Sequence, residues 1–124
     1  MQRKIKINDA DIWQPDRGLG SSFETTYTED STRSQDGVGH FTPLFTVEQF
    51  SYSAKNIPIS EASQILRAVA HGEPFSLYYF SPYYGAWRTD TFYVGKGSLS
   101  IGTLAENQEY LDSLSFNMTG VNPI

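Results

Sequence analysis

Residues that could carry out acid–base or nucleophilic chemistry are few in this chain and are not grouped by their spacing. The two histidines, His40 and His71, each stand beside a glycine at the end of a predicted element. The chain has no cysteine, no Gly-x-Ser-x-Gly turn and no spacing that suggests a Ser-His-Asp triad. His71 also ends a predicted helix, where a positive charge suits the helix dipole. The sequence therefore predicts a protein that is not an enzyme.

A metal or cofactor site is not expected either. Residues 30–37 resemble a calcium-binding loop in outline, but Thr32 and Ser34 stand where such a loop needs acidic ligands. The sixth-position glycine is missing, and Arg33 adds a positive charge that would repel a cation. This stretch is better interpreted as part of a long polar segment at 29–39, either an exposed, solvated loop or an extended hairpin tip.

The aromatic residues form the one concentrated chemical feature of the sequence. Nine of the eighteen (8 Phe, 8 Tyr and 2 Trp) lie between positions 75 and 93. A domain of this size cannot bury them all, and exposed Tyr and Trp mark interfaces between proteins. We therefore predict an intersubunit contact at Tyr83, Tyr84 and Trp87, which fall in a predicted turn. The alternative is a carbohydrate-binding, host-recognition module that uses the aromatic cluster near Trp87.

The elements that must position these residues are mostly strands, predicted from alternating apolar and polar positions. They cover residues 4–12, 22–28, 40–54, 75–80, 90–94 and 112–121. Asn8 and Asp9 suggest a turn inside the first of these stretches. In 40–54 the apolar positions change parity at Glu48 and Gln49, which predicts one long strand or two strands joined by a bulge.

One helix is predicted at about residues 60–71. The apolar positions Ala62, Ile65, Leu66 and Val69 form a single stripe at helical spacing. Ser60 can cap the first turn, and Gly72 suits the position just beyond the last turn. The fold class predicted is therefore mainly β: an antiparallel β-sandwich or flattened barrel of six to seven strands, with one flanking α-helix.

Length and charge narrow the function further. The chain has 124 residues and a net charge of −5, which predicts a single domain over 1–124 that binds nucleic acid poorly. No run of about 18 apolar residues is present, so no membrane span is expected. The amino-terminal stretch lacks an apolar signal core, which indicates synthesis in a cytoplasm without export.

Several stretches, taken in order, resemble a family of small tail proteins of long-tailed (siphovirus-type) phages and prophages. They are Thr-Phe-Tyr-Val-Gly at 91–95, Leu-Ser-Phe-Asn-Met at 114–118 and the helical Ala-Ser-Gln-Ile-Leu-Arg-Ala-Val at 62–69. The polar Asp30-x-x-Arg33, followed by Asp36-Gly37, is also similar to a loop of that family. The similarity covers most of the chain.

The resemblance implies a structural subunit of a phage tail, related to tail-tube and distal-tail proteins. Such proteins are β-sandwiches with a flanking helix that assemble into rings around a DNA channel. The expected partners are copies of the chain itself, as a hexamer in preference to a trimer, and other tail proteins. DNA would be only a non-specific passing cargo, and the expected location is the virion tail, after synthesis in the host bacterial cytoplasm. Asp30, Arg33 and Asp36 join the predicted oligomer interface on this basis.

Overall fold

The computed structural model of the chain describes residues 4–16, 18–28, 32–33, 39–40, 42–107 and 109–124, with only the backbone described at 32–33 and 39–40. This described part contains ten strands and one helix. The strands are β1 (Lys6–Ile7), β2 (Ala10–Asp11), β3 (Gly20–Tyr27), β4 (Thr32–Arg33), β5 (Gly39–His40), β6 (Pro43–Pro58), β7 (Phe75–Ser81), β8 (Ala86–Tyr93), β9 (Gly97–Ile101) and β10 (Tyr110–Gly120). The helix, α1 (Ile59–Val69), connects β6 to β7.

Eight of these strands form one antiparallel sheet in the order β2-β1-β7-β8-β10-β6-β3, with β9 pairing with β10 as well. The strands β4 and β5 pair separately as a two-stranded ribbon. The predicted mainly β, antiparallel class is confirmed. In the described part of the chain, the two end strands β2 and β3 do not pair with each other, so the sheet is not closed into a barrel.

The sheet bends over on itself, so that β7 and β8 face β6 across the core. Although β7 is three places from β6 in the sheet order, the Tyr79 ring centroid lies 5.0 Å from that of Phe50. Phe92 of β8 lies 5.7 Å from Phe50 and 5.0 Å from Tyr79. Tilted and edge-to-face rings at these distances attract each other beyond their burial of area. The core is therefore sandwich-like although a single sheet builds both of its layers.

A side-chain amide holds the first strand to the segment that follows β2. Gln14 Oε1 accepts a hydrogen bond from the Ile5 N–H at 3.0 Å, and Gln14 Nε2 donates to the carbonyls of Ile5 at 3.0 Å and Ile12 at 2.8 Å. Farther along, the Asp16 N–H donates to the Ser53 carbonyl of β6 at 3.1 Å. The segment between β2 and β3 thus crosses from one end of the sheet to the other.

The longest strand, β6, extends beyond the strands that face it. It has 16 residues and spans about 50 Å at the usual rise of about 3.3 Å per residue. The facing strands β7 and β8 have only 7 and 8 residues. As a result, the first five residues of β6 are exposed or half-buried, whereas its middle is buried.

The predicted change of parity at Glu48 and Gln49 is wrong. Alternate even positions are buried without interruption from Glu48 to residue 54, and the buried face switches only at Asn56, whose φ is +53°, so that Ile57 is buried. The apolar Phe45 suggested a change of parity, but it lies on the face opposite to Phe50 and is 45% exposed. A left-handed residue reverses the faces of a strand, and Asn tolerates that conformation better than most residues.

The helix buries the predicted stripe against β6 and β10. Ala62, Ile65 and Val69 are buried, and the helix ends two residues earlier than predicted. Ser60 is not the cap: the helix begins one residue earlier, Pro58 occupies the N-cap position, and no side chain caps the first turn. Gly72 has a φ of +71°, which confirms its predicted role in ending the helix.

The hairpin of β7 and β8 is confirmed, whereas β9 was not predicted. Gly85 in the hairpin turn has a φ of +65°, and its N–H donates to the Ser81 carbonyl at 2.8 Å. The sequence did not indicate β9 because Gly95, Gly97 and Gly102 interrupt this stretch and because the strand has no alternation of buried and exposed residues. Glycine is favoured at position 97 because a Cβ there would lie 3.2 Å from the Phe116 Cβ, closer than most Cβ contacts in proteins.

Candidate functional site

The tip of the β7–β8 hairpin presents two exposed tyrosines and an arginine. Tyr83 is 65% exposed and Tyr84 is 49% exposed, and their rings meet edge to face at 4.9 Å. The Arg88 guanidinium lies 4.1 Å from the centroid of the Tyr84 ring and 3.5 Å from an Asp90 oxygen. These contacts hold the tip in one arrangement although most of it faces solvent.

Trp87 lies in β8 and not in the turn where the sequence predicted it. It is half-buried, opposite Phe80, and its ring stacks on Tyr78 with centroids 5.3 Å apart. The structure therefore separates Trp87 from the two exposed tyrosines and places it against its own neighbours. The carbohydrate-binding alternative stays a prediction, with one face of the indole covered by Tyr78.

Next to the hairpin tip, the inner face of β3 carries an exposed phenylalanine. Phe23 pairs directly with Glu48, and the neighbouring pairs join Ser21 to Phe50 and Thr25 to Thr46. Directly paired residues share a face of a sheet, so Phe23 lies on the same face as Phe50. Yet Phe23 is 75% exposed, whereas Phe50 is only 2% exposed. The core face of the sheet therefore continues past the point where the opposite layer ends.

This uncovered end encloses a cavity of about 510 Å³. Ser21, Ser22, Phe23 and Thr25 of β3 line one side, Thr46 and Glu48 of β6 line another, and Pro82, Tyr83 and Ile124 complete the wall. We call this surface, with the cavity and the free edge of β3, the open end. Within the described residues β3 pairs only with β6, so its other edge has no neighbouring strand.

A buried carboxylate lies in the wall of the cavity. Glu48 is only 5% exposed, and it accepts hydrogen bonds from the Tyr79 hydroxyl at 3.1 Å and from Ser81 Oγ at 2.7 Å. Ser81 Oγ also accepts a hydrogen bond from the Tyr84 N–H at 3.3 Å. Glu48 thereby fixes the direction of the Ser81 hydroxyl, which in turn holds the backbone at Tyr84. We call the end of the hairpin that carries Tyr83 and Tyr84 the tyrosine tip.

The protonation of Tyr79 fits its role as a donor. Burial raises the pKa of Tyr79, and the neighbouring Glu48 carboxylate raises the pKa further by charge and by hydrogen bonding. Tyr79 therefore keeps its proton throughout the physiological range and donates a hydrogen bond to Glu48.

The residues of the predicted interface lie in different parts of the chain, and the structure describes only some of their side chains. It places Tyr83 and Tyr84 together at the hairpin tip. Arg33 lies in β4, where its backbone pairs with Gly39, and its side chain is outside the described residues. Asp30 and Asp36 lie outside the described residues as well.

Other kinds of site find no support where the chain is described. In the described ranges, no three His, Asp or Glu side chains come close enough together to hold a metal ion. No helix in those ranges has the length and apolar character needed to cross a membrane.

Two residues of the open end were missed by sequence reasoning. Glu48 shares its parity with Phe50, Tyr52 and Ala54, so the alternation of β6 contained a signal that it faces the core. Phe23 alternates with Ser21 and Thr25 along β3, but no local pattern indicates that this face lacks a cover. Its exposure depends on where the β7–β8 hairpin ends, which is set by residues far away in the chain.

Comparison of the chain with models of known protein families finds no match, and comparison with curated proteins finds none either. The resemblance to phage tail proteins therefore stays a prediction from the sequence motifs.

Proposed function

We propose that this protein is a structural subunit of a bacteriophage tail and assembles with copies of itself into a ring of the tail tube or tail tip. The observation that carries the proposal is the open end, where Phe23 and the free edge of β3 lie beside the tyrosine tip. Full burial of a phenylalanine side chain contributes about 1.5–3 kcal/mol, and Phe23 gains little of this in the isolated subunit.

The free edge of β3 is also suited to pairing with another strand. Natural edge strands are usually protected by lysine, proline or bulges, because an unprotected edge recruits other strands. β3 reads Gly-Ser-Ser-Phe-Glu-Thr-Thr-Tyr, with no lysine or proline, and its register with β6 is regular from Gly20 to Thr26. An edge of this kind, seven residues long from Gly20 to Thr26, supports assembly by strand addition.

The tyrosine tip supplies the residue types that dominate binding energies at interfaces. Tyr and Arg are enriched among the residues whose loss weakens protein complexes most. Tyr83, Tyr84 and Arg88 are held by one another and by the Ser81–Glu48 hydrogen bonds, so little side-chain entropy remains to be lost on binding.

The assignment to a phage tail comes from the sequence resemblance, and the architecture is compatible with it. A ring of hexameric order is favoured over a trimer on the same basis, with other tail proteins above and below. The net charge of −5 suits a channel through which DNA passes without binding.

Mass photometry and negative-stain electron microscopy of the purified protein test the proposal. We expect closed rings for the natural sequence and monomers for Phe23→Asp, which places a charge on the uncovered face. Thr26→Asp is the matched control, because it adds the same charge to the outer face of the same strand and should leave rings intact. A natural protein that stays monomeric at high concentration would contradict the proposal.

A further inference from the structure

Self-assembly through β3 does not explain why an acidic residue is buried in the wall of the cavity. Among the described residues, the ion pairs join Lys6 to Asp11 and Arg88 to Asp90, and Glu48 takes part in neither. A carboxylate that is 5% exposed is expensive to keep charged without a cation or a full set of hydrogen bonds. The burial of Glu48 with no ion pair to any described side chain therefore calls for a functional explanation.

The carboxylate keeps part of its hydrogen-bonding capacity. An ionised carboxylate offers about four acceptor positions, and Tyr79 and Ser81 occupy two of them. Glu48 also lines the cavity, so a group that enters the cavity approaches this residue from that side. The group that fits there is a donor with a positive charge, since charge-assisted hydrogen bonds are the strongest that a carboxylate makes.

The walls of the cavity suit the rest of a long basic side chain. Phe23 and Tyr83 are aromatic and lie at its rim, where they can cover an aliphatic stem or the face of a guanidinium. The volume of about 510 Å³ is within the range of about 300–1,000 Å³ that is typical of ligand pockets. The cavity thus combines one buried negative charge with an apolar entrance.

The free edge of β3 indicates how such a side chain would be presented. Three of the residues that line the cavity, Ser21, Phe23 and Thr25, alternate along β3 and face inwards. A strand added to that edge would direct every second side chain towards the same face. We propose that the open end binds an extended segment of a partner protein and that a lysine or arginine of this segment enters the cavity to pair with Glu48.

This site goes beyond the proposed function, because it specifies the chemistry of a partner and does not require that the chain form rings. The partner is an extended polypeptide with a basic residue flanked by β-forming residues. A small free cation is the rival occupant, and the experiment below distinguishes the two.

Binding is measured by thermophoresis with the labelled protein at nanomolar concentration. Mass photometry at the same concentration checks that the protein is monomeric. The probes are acetyl-Thr-Val-Arg-Val-Thr-amide, the same peptide with neutral citrulline in place of arginine, and free arginine amide. We expect the arginine peptide to bind at least about 10-fold more tightly than either other probe, because only it supplies both the strand and the charge. Equal binding of the citrulline peptide, or of free arginine amide, would overturn the proposal.

Variants then test the role of Glu48. Glu48→Gln should weaken the binding of the arginine peptide about 10-fold or more, since it removes the charge but keeps the shape. Glu24→Gln is the matched control: it removes one charge from the outer face of β3, where Glu24 accepts a hydrogen bond from Gln49, and it should leave binding within about twofold.

A folding defect in Glu48→Gln would not leave the proposal untested. Tyr83→Ser changes the exposed rim of the cavity and leaves Glu48 with both of its donors, and we expect it to weaken binding of the arginine peptide about threefold or more. If the natural protein binds the peptide but forms no rings, the proposed tail assembly fails and the site stands. If rings form at high concentration but no probe binds the monomer at nanomolar concentration, the site fails alone.

Discussion

The two parts of strand β6 differ in what covers them. Phe50, Tyr52 and Ala54 in its middle are at most 2% exposed, and the rings of Tyr79 and Phe92, from β7 and β8, cover Phe50. At its beginning, the paired strand β3 exposes Phe23 on the same face, because the facing hairpin ends at the turn near Pro82. One strand thus belongs to a finished core at one point and to an uncovered face at another.

The comparison shows that an apolar residue on the core side of a sheet is buried only if a second layer reaches it. At the finished end, the helix supplies that layer through Ile65 and Val69, and Ile57 and Leu111 are fully enclosed. At the open end, the described part of the chain supplies no such layer. The difference is therefore one of partners and not of local sequence pattern.

The largest expected contrast is between two phenylalanines on the same face. Phe50→Ala should lower the free energy of unfolding by about 3–5 kcal/mol, because it removes a ring from contact with Tyr79 and Phe92. Phe23→Ala should change it by no more than about 0.5 kcal/mol, because the ring is largely in solvent already. Urea unfolding of both variants at a concentration that keeps the protein monomeric is the measurement.

A large loss of monomer stability in Phe23→Ala would contradict the distinction between the two ends. It would mean that residues outside the described part cover Phe23 in the isolated subunit.

The second expected effect concerns the hydrogen bonds that join the finished core to the tyrosine tip. Tyr79→Phe leaves Glu48 with the Ser81 donor alone and should cost about 1–3 kcal/mol of unfolding free energy. Tyr83→Phe removes the same hydroxyl from a residue that is 65% exposed, so it should be close to neutral. Equal effects in the two variants, measured by urea unfolding, would show that the Tyr79–Glu48 hydrogen bond contributes nothing.

The third effect appears only at high pH. Tyrosine in an unfolded chain has a pKa of about 10, and burial raises the pKa of both Tyr52 and Tyr79 above that value in the folded protein. The folded state therefore favours the protonated forms, and stability is fully present below pH 10 and is lost as the pH rises above it. Urea midpoints measured between pH 8 and pH 11.5 should show this decline.

Tyr79→Phe should show a shallower alkaline decline than the natural sequence, because one of the two raised groups is gone. A flat profile up to pH 11.5 in the natural protein would argue against the burial of both hydroxyls.

The regular parts of the fold could be predicted from the sequence because their patterns are local. Leu114, Phe116 and Met118 alternate in β10 as expected, and the stripe of α1 is buried where it was predicted. The turn at Asn8 and Asp9 is also confirmed, and both residues have positive φ. In each case the hydrophobic period or the turn chemistry is contained in a few neighbouring residues.

The open end could not be predicted in the same way. Its exposed phenylalanine depends on the length of a hairpin some sixty positions later in the chain, and its buried Glu48 contradicts the usual preference of acidic residues for the surface. The strand β9 was not predicted either. Gly97 can lie close to Phe116 because it has no side chain, but the same lack of a side chain weakens the strand pattern. Long-range packing, and not local propensity, decides all three features.

The amide of Gln14 has a consequence for how the sheet comes apart. Two paired strands are normally joined by a ladder of backbone hydrogen bonds. Here the first strand and the segment that follows β2 are joined instead by the oxygen and nitrogen of the Gln14 side-chain amide. A ladder loses its bonds one at a time, whereas this contact is lost in a single rotation of Gln14. Local opening should therefore begin at the Gln14 contact. The amide hydrogens of the β1–β2 hairpin should exchange while those of β6 and β10 remain protected.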